Sequence, residues 1–139
     1  MPATYNPTTT SAMTEPDSLF EKLGGESGVR KLVDHFYDQM DALDEAREVR
    51  DLHPADLTDS RQKFFEFLCG WTGGPQLYVA KHGHPRLRAR HMPFAIGDRE
   101  AAQWMRCMVL ALDETVDDQA TRTFLADSFL RVAAHMRNQ

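Results

Sequence analysis

A chain of 139 residues, 42% of them hydrophobic, is long enough for one domain with a real core and too short for two ordinary ones. Its formal charge of -5 opposes a surface built for nucleic acid or anionic lipid, because such partners are held mainly by neutralising phosphate charge. No apolar run approaches the roughly 20 residues of a membrane-spanning helix, and the opening residues lack the charged-then-apolar order of a secretory signal, so a soluble, cytoplasmic protein without membrane insertion is expected.

Residues 1–17 are rich in Thr, Ser and Pro and poor in large apolar groups, which predicts a flexible tail before a single domain over 18–139. A short apolar segment and a Gly24-Gly25 break then precede a helix in which Val29, Leu32, Val33, Phe36, Tyr37 and Met40 follow 3,4-spacing. A second amphipathic helix starts after the turn and cap residues of "HPADLTDS", carries Phe64, Phe67, Leu68 and Trp71 on one face, and is closed by Gly73-Gly74-Pro75. From 75 to 97, three prolines and two glycines leave room only for short helical turns. Asp98 is the expected N-cap of a helix with Ala101, Trp104, Met105, Met108 and Leu112 along one side. A last helix is expected to bury Phe124, Leu125, Phe129, Val132, Ala133 and Met136, and to end with His135 beside its negative dipole end. Cys69 and Cys107 sit inside apolar helical patterns and read as buried free thiols. No stretch shows sustained alternation with β-branched enrichment, so the fold class is all-α.

The chemistry concentrates in "HGHPRLRARHMPFAI", residues 82–96, with His82, His84 and His91 interleaved with Arg86, Arg88 and Arg90. A histidine is more often an ordinary surface or core residue than a ligand, and His82-x-His84 has no Asp, Glu or Cys to complete a zinc set. His91 differs: Pro93 cannot continue a helix, which leaves His91 at the C-terminal end of a short turn with its ring free to project inward. One imidazole is too few ligands for a bare metal ion but suffices for an iron already held by four porphyrin nitrogens. Haem also accounts for the arginines, since its propionates need cations at the rim and its macrocycle needs a slot of Phe, Met, Leu and Trp. The competing reading is plain core, because aromatic and Met stripes at helical spacing are usually that.

"HFYDQM", "LHPADL", "GWTGGPQLY", "HGHPRLRARHMPFAI" and "QWMRCM", in that order, closely resemble the group II truncated haemoglobins over about residues 18–138. The resemblance implies a two-over-two globin, in which two helix pairs sandwich one haem b (iron protoporphyrin IX). It implies His91 as the proximal iron ligand, and Tyr37, His53, Ser60, Phe64 and Trp104 as distal residues. Lys63, Tyr78 and Arg90, with Arg88 as a further candidate, are the expected propionate contacts, and His82 and His84 are expected to structure the loop. His53 stands where the family commonly has tyrosine or phenylalanine, and Phe64 where some members carry a polar or smaller residue. Three roles are open to His53: donating to a bound ligand, bonding Tyr37, or setting an internal side chain on the sixth iron position.

The leading expectation is reversible binding of dioxygen and other diatomic gases, with tight retention opposing bulk transport. The alternative is an enzyme at the same haem, a peroxidase, nitric oxide dioxygenase or nitrite reductase, fed by an external reductase. A haem-free helical interaction module is the third reading, and a monomer or a homodimer fits all three.

Overall fold

The computed structural model describes residues 18–139; the expected flexible tail, 1–17, lies outside the described residues. Helix α1, Leu19–Leu23, is capped by Ser18, whose Oγ accepts from the Glu21 N–H at 3.2 Å. Gly24 closes it in the left-handed region, with φ +99°, and directly starts α2, Gly25–Ala42. The corner is so tight that a Cβ on Gly28 would stand 1.6 Å from the Leu23 carbonyl oxygen. The α2 stripe read from the sequence, Val29 through Met40, is buried.

A 3-10 turn, Asp44–Ala46, and a short helix α3, Arg47–Asp51, follow. The sequence pattern did not predict either, because only Ala46 and Val49 of this stretch are buried. Helix α4 spans Thr58–Trp71, and the Thr58 N–H donates to Asp56 Oδ1 at 2.9 Å just ahead of it. Its core side is Phe65, Leu68 and Cys69, while the expected face of Phe64, Phe67 and Trp71 is half-buried and turned elsewhere. Two short helices, α5 (Leu77–His82) and α6 (Leu87–His91), occupy the proline- and glycine-punctuated region as expected.

Helix α7, Asp98–Thr115, is N-capped by Gly97 rather than by Asp98. The carboxylate of Glu100 reaches back to accept from the Gly97 N–H at 2.9 Å, which frees Asp98 to pair with Arg137. Helix α8, Gln119–Met136, buries Leu125, Phe129, Ala133 and Met136, but Phe124 is 54% exposed, against expectation. Consecutive helical residues lie about 100° apart, so when Leu125 points inward Phe124 turns out of the contact. Thr121 and Ser128 complete the buried side instead.

The described residues form eight α-helices and no strand. Helix α7 packs most extensively on α2 and on α8, and α2 packs on α4, so one shared core joins the pairs α2–α4 and α7–α8. Cys69 and Cys107 are buried and unpaired, and burial pushes both thiols up to about 11. No helix among the described residues is long and apolar enough to cross a membrane.

Gly28→Ala is expected to destabilise the fold by about 2–3 kcal/mol or more, read as a shift in the urea unfolding midpoint, because backbone must move to admit the methyl group.

Candidate functional site

Between the helix pairs lies a cavity of about 530 Å³, in the size range of small-molecule sites. It explains the second face of α4: Phe64, Phe67 and Trp71 line the cavity while Phe65 and Leu68 serve the core. Trp71 stacks on Phe129 of α8 with ring centroids 4.8 Å apart, and Phe64 and Trp104 meet at 6.1 Å, which builds flat aromatic walls. Phe36 stands behind them, 5.1 Å from Trp104 and 4.9 Å from Tyr37.

Nine of the ten side chains singled out from the sequence line this cavity: Tyr37, His53, Ser60, Lys63, Phe64, Tyr78, Arg90, His91 and Trp104. The tenth, Arg88, does not. Its guanidinium donates to the carbonyl oxygens of His135 and Arg137 at 2.6 and 3.0 Å, tying α6 to the end of α8. Asn138 adds to this clamp, its Nδ2 donating to the carbonyls of His91 and Phe94 and its Oδ1 accepting from the Ile96 N–H. The short helix that carries His91 is thereby held from outside.

On that helix the His91 Nδ1 lies 2.6 Å from the Leu87 carbonyl oxygen, one turn back. A carbonyl only accepts, so Nδ1 carries the proton, and the neutral ring keeps its lone pair on Nε2. An imidazole fixed in this way can hold a metal with its orientation already set.

On the opposite side, burial pushes the Tyr37 hydroxyl well above its ordinary range, with Arg61 opposing, so the phenol stays protonated and is a donor. His53 is positioned by Arg50, which donates to the Pro54 and Ala55 carbonyls at 2.9 Å each and to Asp41 at 2.6 Å. The His53 Nδ1 lies 2.9 Å from the Val49 carbonyl oxygen. Burial holds this ring below its ordinary value; the Val49 bond works against that, and the positive charge of Arg50 adds to it. The neutral ring thus has Nδ1–H committed to Val49 and only an acceptor, Nε2, to offer. Its ring meets Tyr37 edge-on, with centroids 5.8 Å apart.

At the rim, Lys63 is exposed, 3.8 Å from Asp59, and Arg90 uses its Nε on the Pro85 carbonyl at 2.7 Å, leaving its terminal nitrogens for an anion. Arg90 also lies 5.8 Å over the Tyr78 ring. An apolar aromatic slot, one oriented imidazole and two cations at the mouth together fit a haem with its two carboxylates.

A model of the bacterial-like globin family matches residues 18–138. Group 2 truncated haemoglobin YjbI of Bacillus subtilis is 39% identical over 115 residues, 83% of this chain and 85% of that protein. The chain belongs to the group II truncated haemoglobins. The cold-adapted truncated haemoglobin of Pseudoalteromonas haloplanktis TAC125 shares its structure with a TM-score of 0.87 at 50% identity, over 88% of this chain and 99% of that one. The group II 2-on-2 haemoglobin of Agrobacterium tumefaciens also gives 0.87, at 44% identity over 91% and 98%. The two-over-two globin arrangement is therefore this truncated haemoglobin's fold.

One residue that positions the site was missed in the sequence. Glu66 of α4 has a side chain only 3% exposed and accepts from Lys81 at 2.5 Å, from Gln62 at 2.9 Å and from His82 at 3.2 Å. It anchors α5, and with it Tyr78, onto α4, which gives His82 the loop-structuring role expected of it. His84 Nδ1 accepts from the Arg86 N–H at 3.1 Å. Burial alone would raise the Glu66 carboxyl, but hydrogen bonds from Lys81, Gln62 and His82 outweigh it and hold the group below its ordinary value.

A carboxyl depressed on folding stabilises fully above its unfolded value, near about 4.3, and loses that contribution as the pH falls through its folded value. Glu66→Gln is accordingly expected to cost about 1–3 kcal/mol at neutral pH, with the gap to wild type closing in acid, as read by urea unfolding at several pH values. A gap independent of pH contradicts the ionised anchor.

Proposed function

We propose that the cavity holds one haem b and that the protein reversibly binds dioxygen and related diatomic ligands. Haem supplies, when bound, a ferrous iron with an open position for such a ligand. The single observation that carries the proposal is the His91 ring, with Nδ1–H on the Leu87 carbonyl and its Nε2 lone pair available inside an aromatic slot.

The other assignments follow from charge and donor count. Lys63 and Arg90 hold the propionates at the rim, and Tyr78 supports Arg90 from beneath. Arg88 serves this edge indirectly, by fixing α6. Tyr37 O–H and the Trp104 indole N–H are the distal donors, aimed at a ligand that gains negative charge when electron density moves onto it. His53 packs edge-on against Tyr37, with its own Nδ1–H held by Val49, and so fixes the ring that carries the hydroxyl. Phe64 narrows and dries the space around them, which strengthens both donor bonds.

The neutral His53 also favours a second reading. An unprotonated imidazole nitrogen in the cavity can take a proton from hydrogen peroxide, the first requirement of a peroxidase. Such turnover requires an external electron donor. Sustained peroxide consumption that falls about tenfold or more in His53→Leu supports this reading; slow turnover unaffected by that change contradicts it.

For the leading reading, the haem-free protein is expected to take up haem at one per chain. Tyr37→Phe and Trp104→Phe are each expected to speed dioxygen release about tenfold, the equivalent of one hydrogen bond of about 1.4 kcal/mol, in stopped-flow measurements. Failure to take up haem, or release rates unchanged in both variants, contradicts it.

A further inference from the structure

The charge of this chain is divided unevenly. Residues 67–97 contain Lys81, Arg86, Arg88 and Arg90 and no Asp or Glu, while the other residues hold 12 basic and 21 acidic side chains. An acidic protein thus has one acid-free, basic segment of 31 residues, and that segment forms a wall of the haem cavity through Tyr78, Leu87, Arg90, His91 and Phe94.

The same segment carries three of the five large apolar side chains that stand exposed among the described residues. Met92 is 53% exposed and Val79 45%; the third, Phe94, lines the cavity. Arg90 of α6 lies over the Tyr78 ring of α5, so the short helices that lead to Val79 and Met92 adjoin at this contact. Arg86 stands at its outer end, held out in the left-handed region at φ +47°, with its side chain exposed and in no ion pair among the described residues. Small apolar contacts ringed by charge of one sign characterise transient protein encounters, in which complementary charge steers the approach and the interface stays small.

We propose that the 77–94 surface is the docking site for an acidic protein that donates single electrons to the haem. This rests on the reading that the cavity holds haem. Three observations select the occupant: the exposed Arg86, with Arg88 bonded only to carbonyls, calls for an acidic partner, the exposed Met92 and Val79 give a short-lived apolar contact, and the segment adjoins the cavity wall that carries His91. The reaction served is return of oxidised iron to the oxygen-binding state. One electron passes per encounter, an anionic flavin hydroquinone in the donor becoming the neutral semiquinone as ferric iron becomes ferrous, and no proton or group is transferred.

The test uses the haem-loaded protein and a flavodoxin as the acidic donor. Haem content is measured first by absorption, binding of oxidised flavodoxin by calorimetry, and reduction by its hydroquinone in stopped flow beside a small uncharged reductant. In wild type, raising salt from about 20 to 300 mM is expected to weaken binding and slow reduction by flavodoxin at least about tenfold. Arg86→Glu is expected to weaken binding at least about tenfold and Met92→Ser several-fold. Lys31→Glu, which makes the same change in net charge on exposed α2, is expected to change it less than about twofold, with the small reductant unaffected throughout. No salt-sensitive complex, or equal losses in Arg86→Glu and Lys31→Glu, overturns the docking site while leaving the haem assignment intact. A chain that takes up no haem overturns the reading on which the proposal rests.

Discussion

The hydrogen bond from His91 Nδ1–H to the Leu87 carbonyl is the constraint to which the rest of the site is built. It determines which ring nitrogen carries the proton and so which one keeps a lone pair for a metal. A five-residue helix cannot hold that geometry alone, because a helix so short forms too few internal bonds to offset the cost of starting it. The support comes from elsewhere: Arg88 and Asn138 tie α6 and the following loop to the end of α8, and Phe129 on α8 forms part of the cavity wall behind it.

The part of the cavity lined by Tyr37, His53 and Trp104 is arranged on the opposite principle. Tyr37 is fixed because it belongs to the buried stripe of α2, whereas His53 sits on a connection held by Arg50 and by the Val49 carbonyl. Donors thus come from long helices, Tyr37 on α2 and Trp104 on α7, and the acceptor comes from a loop. The long helices also build the shared core, so the donor positions are the ones least free to move.

Much of this was legible in the sequence. The α2 stripe follows strict 3,4-spacing and all six of its residues are buried, with Tyr37 alone of them also reaching the cavity, so periodicity and burial agree. On α4 they do not. Phe64, Phe65, Phe67, Leu68 and Trp71 go round the helix because one side faces the core and another the cavity, and a single apolar period cannot separate the two. Glu66 was invisible for the same reason: a glutamate among phenylalanines reads as the solvent side, and two of its partners come from 15 and 16 residues away. Arg88 illustrates a different limit. It lies two positions from Arg90, about 200° round the helix, so the two cannot serve one edge. Composition marks both as cations, and only the packing of α6 on α8 shows which one faces the cavity.

The ligand role of His91 is tested most directly by resonance Raman spectroscopy of the ferrous, ligand-free holoprotein beside His91→Gly with and without added imidazole. The expected result is an iron–histidine stretching band in wild type that disappears in the variant and returns with imidazole in the space the ring had filled. A band that persists unchanged in His91→Gly places the iron on another residue and contradicts the account.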